Sequence, residues 1–134
     1  MSRLLDTNTC VQLLRARNLL VAQRLRALAP ADIYLCSVVR AELYRGALRS
    51  ARPPANRAKV DAFVQPYISL PFDDAAAEIH STIRHELETQ GTPIGPHDMQ
   101  IAAIALLHNL ILVRHNTSEF SRVTGLQLED WQVP

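Results

Sequence analysis

The apolar residues of this chain fall into very short runs separated by longer stretches of helical spacing, and that alternation narrows the folds open to it. Arg3-Leu4-Leu5 meets Asp6-Thr7-Asn8-Thr9 at once, and Ile33-Tyr34-Leu35-Cys36 meets Ser37. Tyr67-Ile68-Ser69-Leu70 stops at Pro71, and Leu110-Ile111-Leu112-Val113 stops at Arg114-His115. Runs this short read as strands. One that is apolar throughout, as Leu110–Val113 is, belongs in a sheet covered on both faces. Parallel strands need crossover connections, and the intervening segments are long enough to supply them.

Those segments carry helical periodicity. Val11, Leu13 and Leu14, then Leu19, Leu20, Val21, Leu25 and Leu28, recur at helical spacing from Asp6–Thr9 up to Ala29-Pro30. Ser37 reads as an N-cap, after which Val38, Ala41, Glu42, Arg45 and Leu48 step by three and four until Arg52-Pro53-Pro54. Further helices are expected over Asn56–Pro66, from Asp73-Asp74 to Gly91 and from Gly95-Pro96 through Leu107. A helical turn at Ser118–Arg122 and a strand at Leu126–Leu128 close the chain. The expected architecture is α/β, a single domain over residues 1–134. Its central sheet is short and mostly parallel, with four or five strands flanked by helices.

Composition excludes several classes. Hydrophobic residues are 48% and charged residues 20% of 134, a globular balance. Cys10 and Cys36 stand alone, without a CxxC or Cys/His cluster, which fits a reduced compartment. No apolar run approaches the roughly 20 residues of a membrane span, and no signal-peptide core follows Met1. A cytoplasmic protein without a membrane partner is expected. The common nucleotide-loop, zincin, esterase and EF-hand motifs are absent.

The acids are more informative. Asp6 follows the first strand, and Glu42 lies in the second turn of the helix after the second strand. Asp98 lies in the first turn of the helix opened by Gly95-Pro96, while Asn116 and Glu119 follow the strand ending at Val113. Taken singly, each has an ordinary reading as a helix cap, a dipole partner or a solvated acid. Taken together, they fall where a parallel sheet places its ligand site, beyond the carboxyl ends of the strands. Carboxylates converging with no lysine or arginine among them would repel one another. A hard divalent cation relieves that repulsion, and Mg²⁺, with Mn²⁺ as a substitute, suits an all-oxygen set. The chemistry implied is metal-assisted hydrolysis of a phosphodiester.

Four segments, in order, resemble a known family. They are Leu4-Leu5-Asp6-Thr7-Asn8; Ser37 with Ala41-Glu42-Leu43 and Gly46-Ala47; Pro93-Ile94-Gly95-Pro96-His97-Asp98 with Ile101-Ala102-Ala103; and Asn116-Thr117-Ser118-Glu119-Phe120. Continued through Gly125-Leu126 and Glu129-Asp130-Trp131, the pattern resembles the PIN-domain ribonucleases, specifically the VapC toxins of bacterial toxin–antitoxin pairs. The resemblance implies a Mg²⁺-dependent endoribonuclease toxin that is dimeric and held inactive by a cognate antitoxin. It also implies that the substrate is structured RNA, commonly a tRNA cut in its anticodon stem-loop. By the same resemblance Asp6 and Asp98 are the principal metal ligands. Glu42 is the third core acid, and the fourth acidic position falls in Asn116–Glu119, with Glu42 and Glu119 acting directly or through water. Thr7 and Ser37 match positions that hold waters or acids by hydrogen bonds.

One departure stands out. Relatives often begin the last motif with Thr-Asn or Thr-Arg, where this chain has Arg114-His115. Arg114 could fork onto a substrate phosphate, the preferred reading, or pair with Glu119. Charge is also unevenly spread: the formal net charge is +1, yet residues 1–59 sum to +8 and residues 60–134 to −7. Arg40, Arg45, Arg49 and Arg52 cluster around the Glu42 helix, and Arg45 and Arg49 are candidate phosphate contacts. The same basic face could instead be solvated or meet an acidic antitoxin tail. The apolar surplus at Leu13, Leu14, Leu19 and Leu20 suits either a dimer or antitoxin groove or the core. His97 and His115 flank the predicted site, with packing or surface roles as the simpler reading. Two other functions stay open: a PIN-like binding module without catalysis, and an aspartyl-phosphate phosphatase with Asp6 as nucleophile. The latter wants a second acid where Asn8 stands.

Overall fold

The computed structural model describes all 134 residues. Five strands, β1 (Arg3–Leu5), β2 (Ile33–Cys36), β3 (Ile68–Leu70), β4 (Ile111–Val113) and β5 (Leu128–Glu129), form one sheet in the order β3-β2-β1-β4-β5. Every neighbouring pair is parallel. Six helices flank it: α1 (Thr7–Leu14), α2 (Leu19–Arg26), α3 (Ser37–Leu48), α4 (Pro53–Val64), α5 (Asp74–Thr89) and α6 (Pro96–Leu107). The chain builds outward from β1 to β3 on one side, then returns to lay β4 and β5 on the other. The direction of winding therefore switches between β1 and β4, the place where such sheets open a ligand crevice.

The core explains the short strands. Leu4, Leu5, Leu35, Leu112 and Val113 are all 0% exposed, as expected of strands covered on both faces. Helix α6 is buried nearly all round, with Ile101, Ala102, Ala103, Ile104 and Ala105 inaccessible. Its alanines let the backbone approach its neighbours closely, and its contacts are chiefly with α5. Along the β5 edge of the sheet Arg3 forks onto Glu129, with Nε–Oε1 at 2.8 Å and Nη2–Oε2 at 3.1 Å. The indole N–H of buried Trp131 donates to the same carboxylate at 3.1 Å. This holds the Glu129 carboxyl below its ordinary pKa.

Several expectations shift. The first helical stretch is two helices, broken at Arg15-Ala16-Arg17-Asn18 by a backbone turn and a new cap although the leucine spacing continues across it. Ala16 turns left-handed at φ 50°, and the Asn18 side chain accepts from the Val21 N–H to start α2. Ser37 is the first residue of α3 rather than its cap: Cys36 holds the cap position, and the Ser37 hydroxyl accepts from the Phe72 N–H at 3.1 Å. Helix α4 begins at Pro53 and not at Asn56, since proline is favoured in a first turn. The last strand lies at Leu128–Glu129, carried there by pairing with Leu112 and Val113. No helix is long and apolar enough to cross a membrane.

Candidate active site

The site forms where β1 and β4 end side by side. Their register sets Leu5 against Val113, and the Asp6 N–H extends the ladder to the Val113 carbonyl at 3.2 Å. Asp6 and Arg114 therefore leave the sheet as neighbours. Asp6 also caps α1, its Oδ1 accepting from the Thr9 N–H at 2.9 Å, which fixes the carboxylate in a buried position. The Thr9 hydroxyl donates to the Val113 carbonyl at 3.3 Å and ties the helix start to the same strand end.

Asp98 arrives from the first turn of α6, at the positive end of that helix. A Cβ at Gly95 would come within van der Waals contact of Asp98 Oδ2, at 3.4 Å. Arg114 lies between the two acids, its Nη1 3.4 Å from Asp6 Oδ2 and 3.3 Å from Asp98 Oδ1. The guanidinium rests on the face of buried Phe120, 4.3 Å from the ring centroid. Its Nε is buried without a hydrogen-bond partner.

Glu42 is held by Thr7, whose hydroxyl donates to Oε1 at 2.9 Å, and the His97 ring nitrogen lies 4.0 Å from Oε2. Burial pushes the Asp6 pKa above the usual carboxylate value, against the Thr9 N–H and the Arg114 charge. Burial also raises Asp98; Arg114 opposes the shift, while the Glu42 and Glu119 charges add to it. Both carboxylates are thus poised to gain from a cation.

The sequence-derived candidates divide. Asp6 and Asp98 come together, and Glu42 and Glu119 lie within electrostatic range of Asp98. No three carboxyl, imidazole or thiol groups draw close enough to enclose an ion in this arrangement. Asn116 does not join the acids: it is exposed, left-handed at φ 57°, and accepts from the Ser118 hydroxyl at 2.9 Å. Ser37 supports the β3–α5 connection and bonds no acid. Arg45 lines a cleft with Glu42, His97 and Gln100, whereas exposed Arg49 lies outside it. The expectation of an acid cluster with no basic residue among them is corrected, because Arg114 stands between Asp6 and Asp98. Its partners are those acids and not Glu119. Sequence reasoning missed a second cleft of about 420 Å³ that also reaches Glu42. Its walls include Arg15, Arg17 and Lys59 over an apolar floor of Val11, Leu14 and Leu43. The basic residues crowding the α1–α2 break were its only signal.

A family model described as PIN domain matches residues 3–126. The chain belongs to the PIN-domain family. Along this PIN domain, identity with a Shigella flexneri protein called tRNA(fMet)-specific endonuclease VapC is 41% over 128 residues, 96% of each chain. Two solved structures superpose on it with a TM-score of 0.91. One is VapBC2 from Rickettsia felis bound to a promoter DNA fragment, at 33% identity, covering 98% of this chain and 99% of that one. The other is DNA-bound VapBC from Salmonella typhimurium, at 35% identity with the same coverage. Membership in the PIN-domain family replaces the aspartyl-phosphate phosphatase reading, and exposed Asn8 leaves that chemistry without its second acid.

Proposed function

We infer that this PIN domain is an endoribonuclease, the toxin of a toxin–antitoxin pair, which hydrolyses phosphodiester bonds in structured RNA, with tRNA as the substrate class. The observation that carries the reading is the carboxylate pair of buried Asp6 and half-buried Asp98, facing one guanidinium nitrogen at the sheet's switch point. Their all-oxygen donors and raised proton affinity suit a hard divalent cation, Mg²⁺ or Mn²⁺. Asp6 and Asp98 would hold it, with Glu42 and Glu119 contributing directly or through water. When bound, the ion supplies Lewis-acid assistance to hydrolysis of the phosphodiester.

The chain's own residues do the positioning. Thr7 fixes the Glu42 carboxylate by its hydroxyl bond, so that Glu42 presents its second oxygen toward His97. Arg45 stands in the same cleft, where it can fork onto a phosphate of the RNA. The cognate antitoxin and a homodimer are the proposed protein partners, and the cytoplasm is the proposed compartment.

Incubation with total tRNA tests the reading, using purified chain freed of partner proteins. Cleavage is expected with Mg²⁺, is lost with EDTA, and is lost in Asp98→Asn. Intact tRNA with the wild-type chain and Mg²⁺ would leave only a binding module.

A further inference from the structure

We propose that Arg114 is a displaceable internal counter-cation of the Asp6–Asp98 pair, a positioning residue against which a divalent ion must compete to enter the site. The proposal rests on the reading of Asp6 and Asp98 as the metal-binding carboxylates.

The geometry makes the guanidinium a fixture of the site. Its Nη1 lies at nearly equal distance from one oxygen of each acid, 3.4 and 3.3 Å, so a single nitrogen serves both. Neither contact is the short bidentate fork that Arg3 makes with Glu129 at 2.8 and 3.1 Å. The bridge is therefore a loose one, held in place by its surroundings rather than by ideal bonding. Those surroundings are the β4 end, where the Arg114 N–H donates to the Glu129 carbonyl at 2.9 Å, and the Phe120 ring beneath the guanidinium. The side chain is 23% exposed, which leaves a path for it to move.

Two negative charges share this partly buried spot, with Glu42 and Glu119 within range of Asp98. One guanidinium offsets only part of that charge, and a divalent cation offsets more, with oxygen coordination that the loose bridge lacks. Entry of the ion is then an exchange: the carboxylates leave the guanidinium, and Arg114 turns outward from its place over Phe120. The presence of Arg114 weakens metal affinity and steadies the metal-free fold.

Manganese titration calorimetry on the full chain tests this. Arg114→Met keeps an unbranched stem over Phe120 but removes the charge, and it should bind Mn²⁺ on the order of tenfold more tightly than wild type. Arg114→Lys, which retains the charge, should stay close to wild type. The metal-free melting temperature should fall in the Met variant and recover on adding Mn²⁺. Equal or weaker Mn²⁺ binding by Arg114→Met overturns the proposal while leaving the nuclease reading intact. Binding by Asp98→Asn as tight as wild type overturns both, because the acids would then not be the ligands. A wild-type measurement guards against a misfolded variant. The buried Arg114 Nε–H should exchange with solvent faster at saturating Mg²⁺, and an unchanged rate counts against displacement.

Discussion

At Asp6, a single residue caps a helix, ends a strand ladder and supplies a carboxylate, and these tasks conflict. The cap bond from the Thr9 N–H favours the ionised form, yet burial outweighs it and the pKa lies above the ordinary 3.8. A raised carboxyl pKa means the folded chain binds the proton more tightly than the unfolded one. The burial cost is therefore present above the raised folded value and disappears as pH falls to the ordinary value. Asp6→Asn keeps a capping oxygen and removes the charge. In EDTA it should raise the neutral-pH melting temperature, by roughly 3–5 °C per kcal/mol relieved in a chain of this size. The gain should vanish toward pH 4 as the wild-type acid protonates. A lower melting temperature for the variant at pH 7 would mean that the Arg114 contact outweighs burial. Keeping this carboxylate out of water carries a local cost in stability.

Helices and strands were legible where one interaction decided them. Pro96 in a first turn and the apolar run at Leu110–Val113 announce α6 and β4 within a residue. The α1–α2 break was not legible, because leucine spacing continues across it and a capping asparagine is weak beside eight apolar positions. The break has a testable cost. Ala16 is exposed and sits at φ 50°, where a Cβ is disfavoured and glycine is not. Ala16→Gly should stabilise the chain by about 0.5–1 kcal/mol, read as a higher urea midpoint at unchanged slope. Loss of stability would show that Ala16 helps to set the angle between α1 and α2.

Over the whole molecule, a net charge of +1 conceals a basic first half and an acidic second half. The fold brings part of that basic half to the site. Arg45 shares a cleft with Glu42, while Arg15, Arg17 and Lys59 wall the other. Proximity in sequence does not decide membership, since Arg49 is one helical turn from Arg45 and lines neither cleft. The salt dependence of tRNA affinity should separate them. Arg45→Ala should reduce the slope of log K against log salt by about 1, the value for one phosphate contact. Arg49→Ala should leave the slope unchanged. Equal effects would mean that RNA covers the outer face of α3 as well as the cleft.

The residues themselves determined the α/β class, the short parallel strands and the family, and they named the candidate acids. Each of these depends on local periodicity or on residue types at set spacings, which survive reading along a line. Only the tertiary structure decided what stands between the acids. Asp6, Asp98 and Arg114 meet because β1 pairs with β4 and α6 starts at their common end, so partners up to 108 positions apart become neighbours. The same meeting pairs Arg114 with Asp6 and Asp98 rather than with Glu119, and Asn116 stays on the surface. Charge pairing is set by distance in space, and a linear pattern carries that distance only after the sheet order is known.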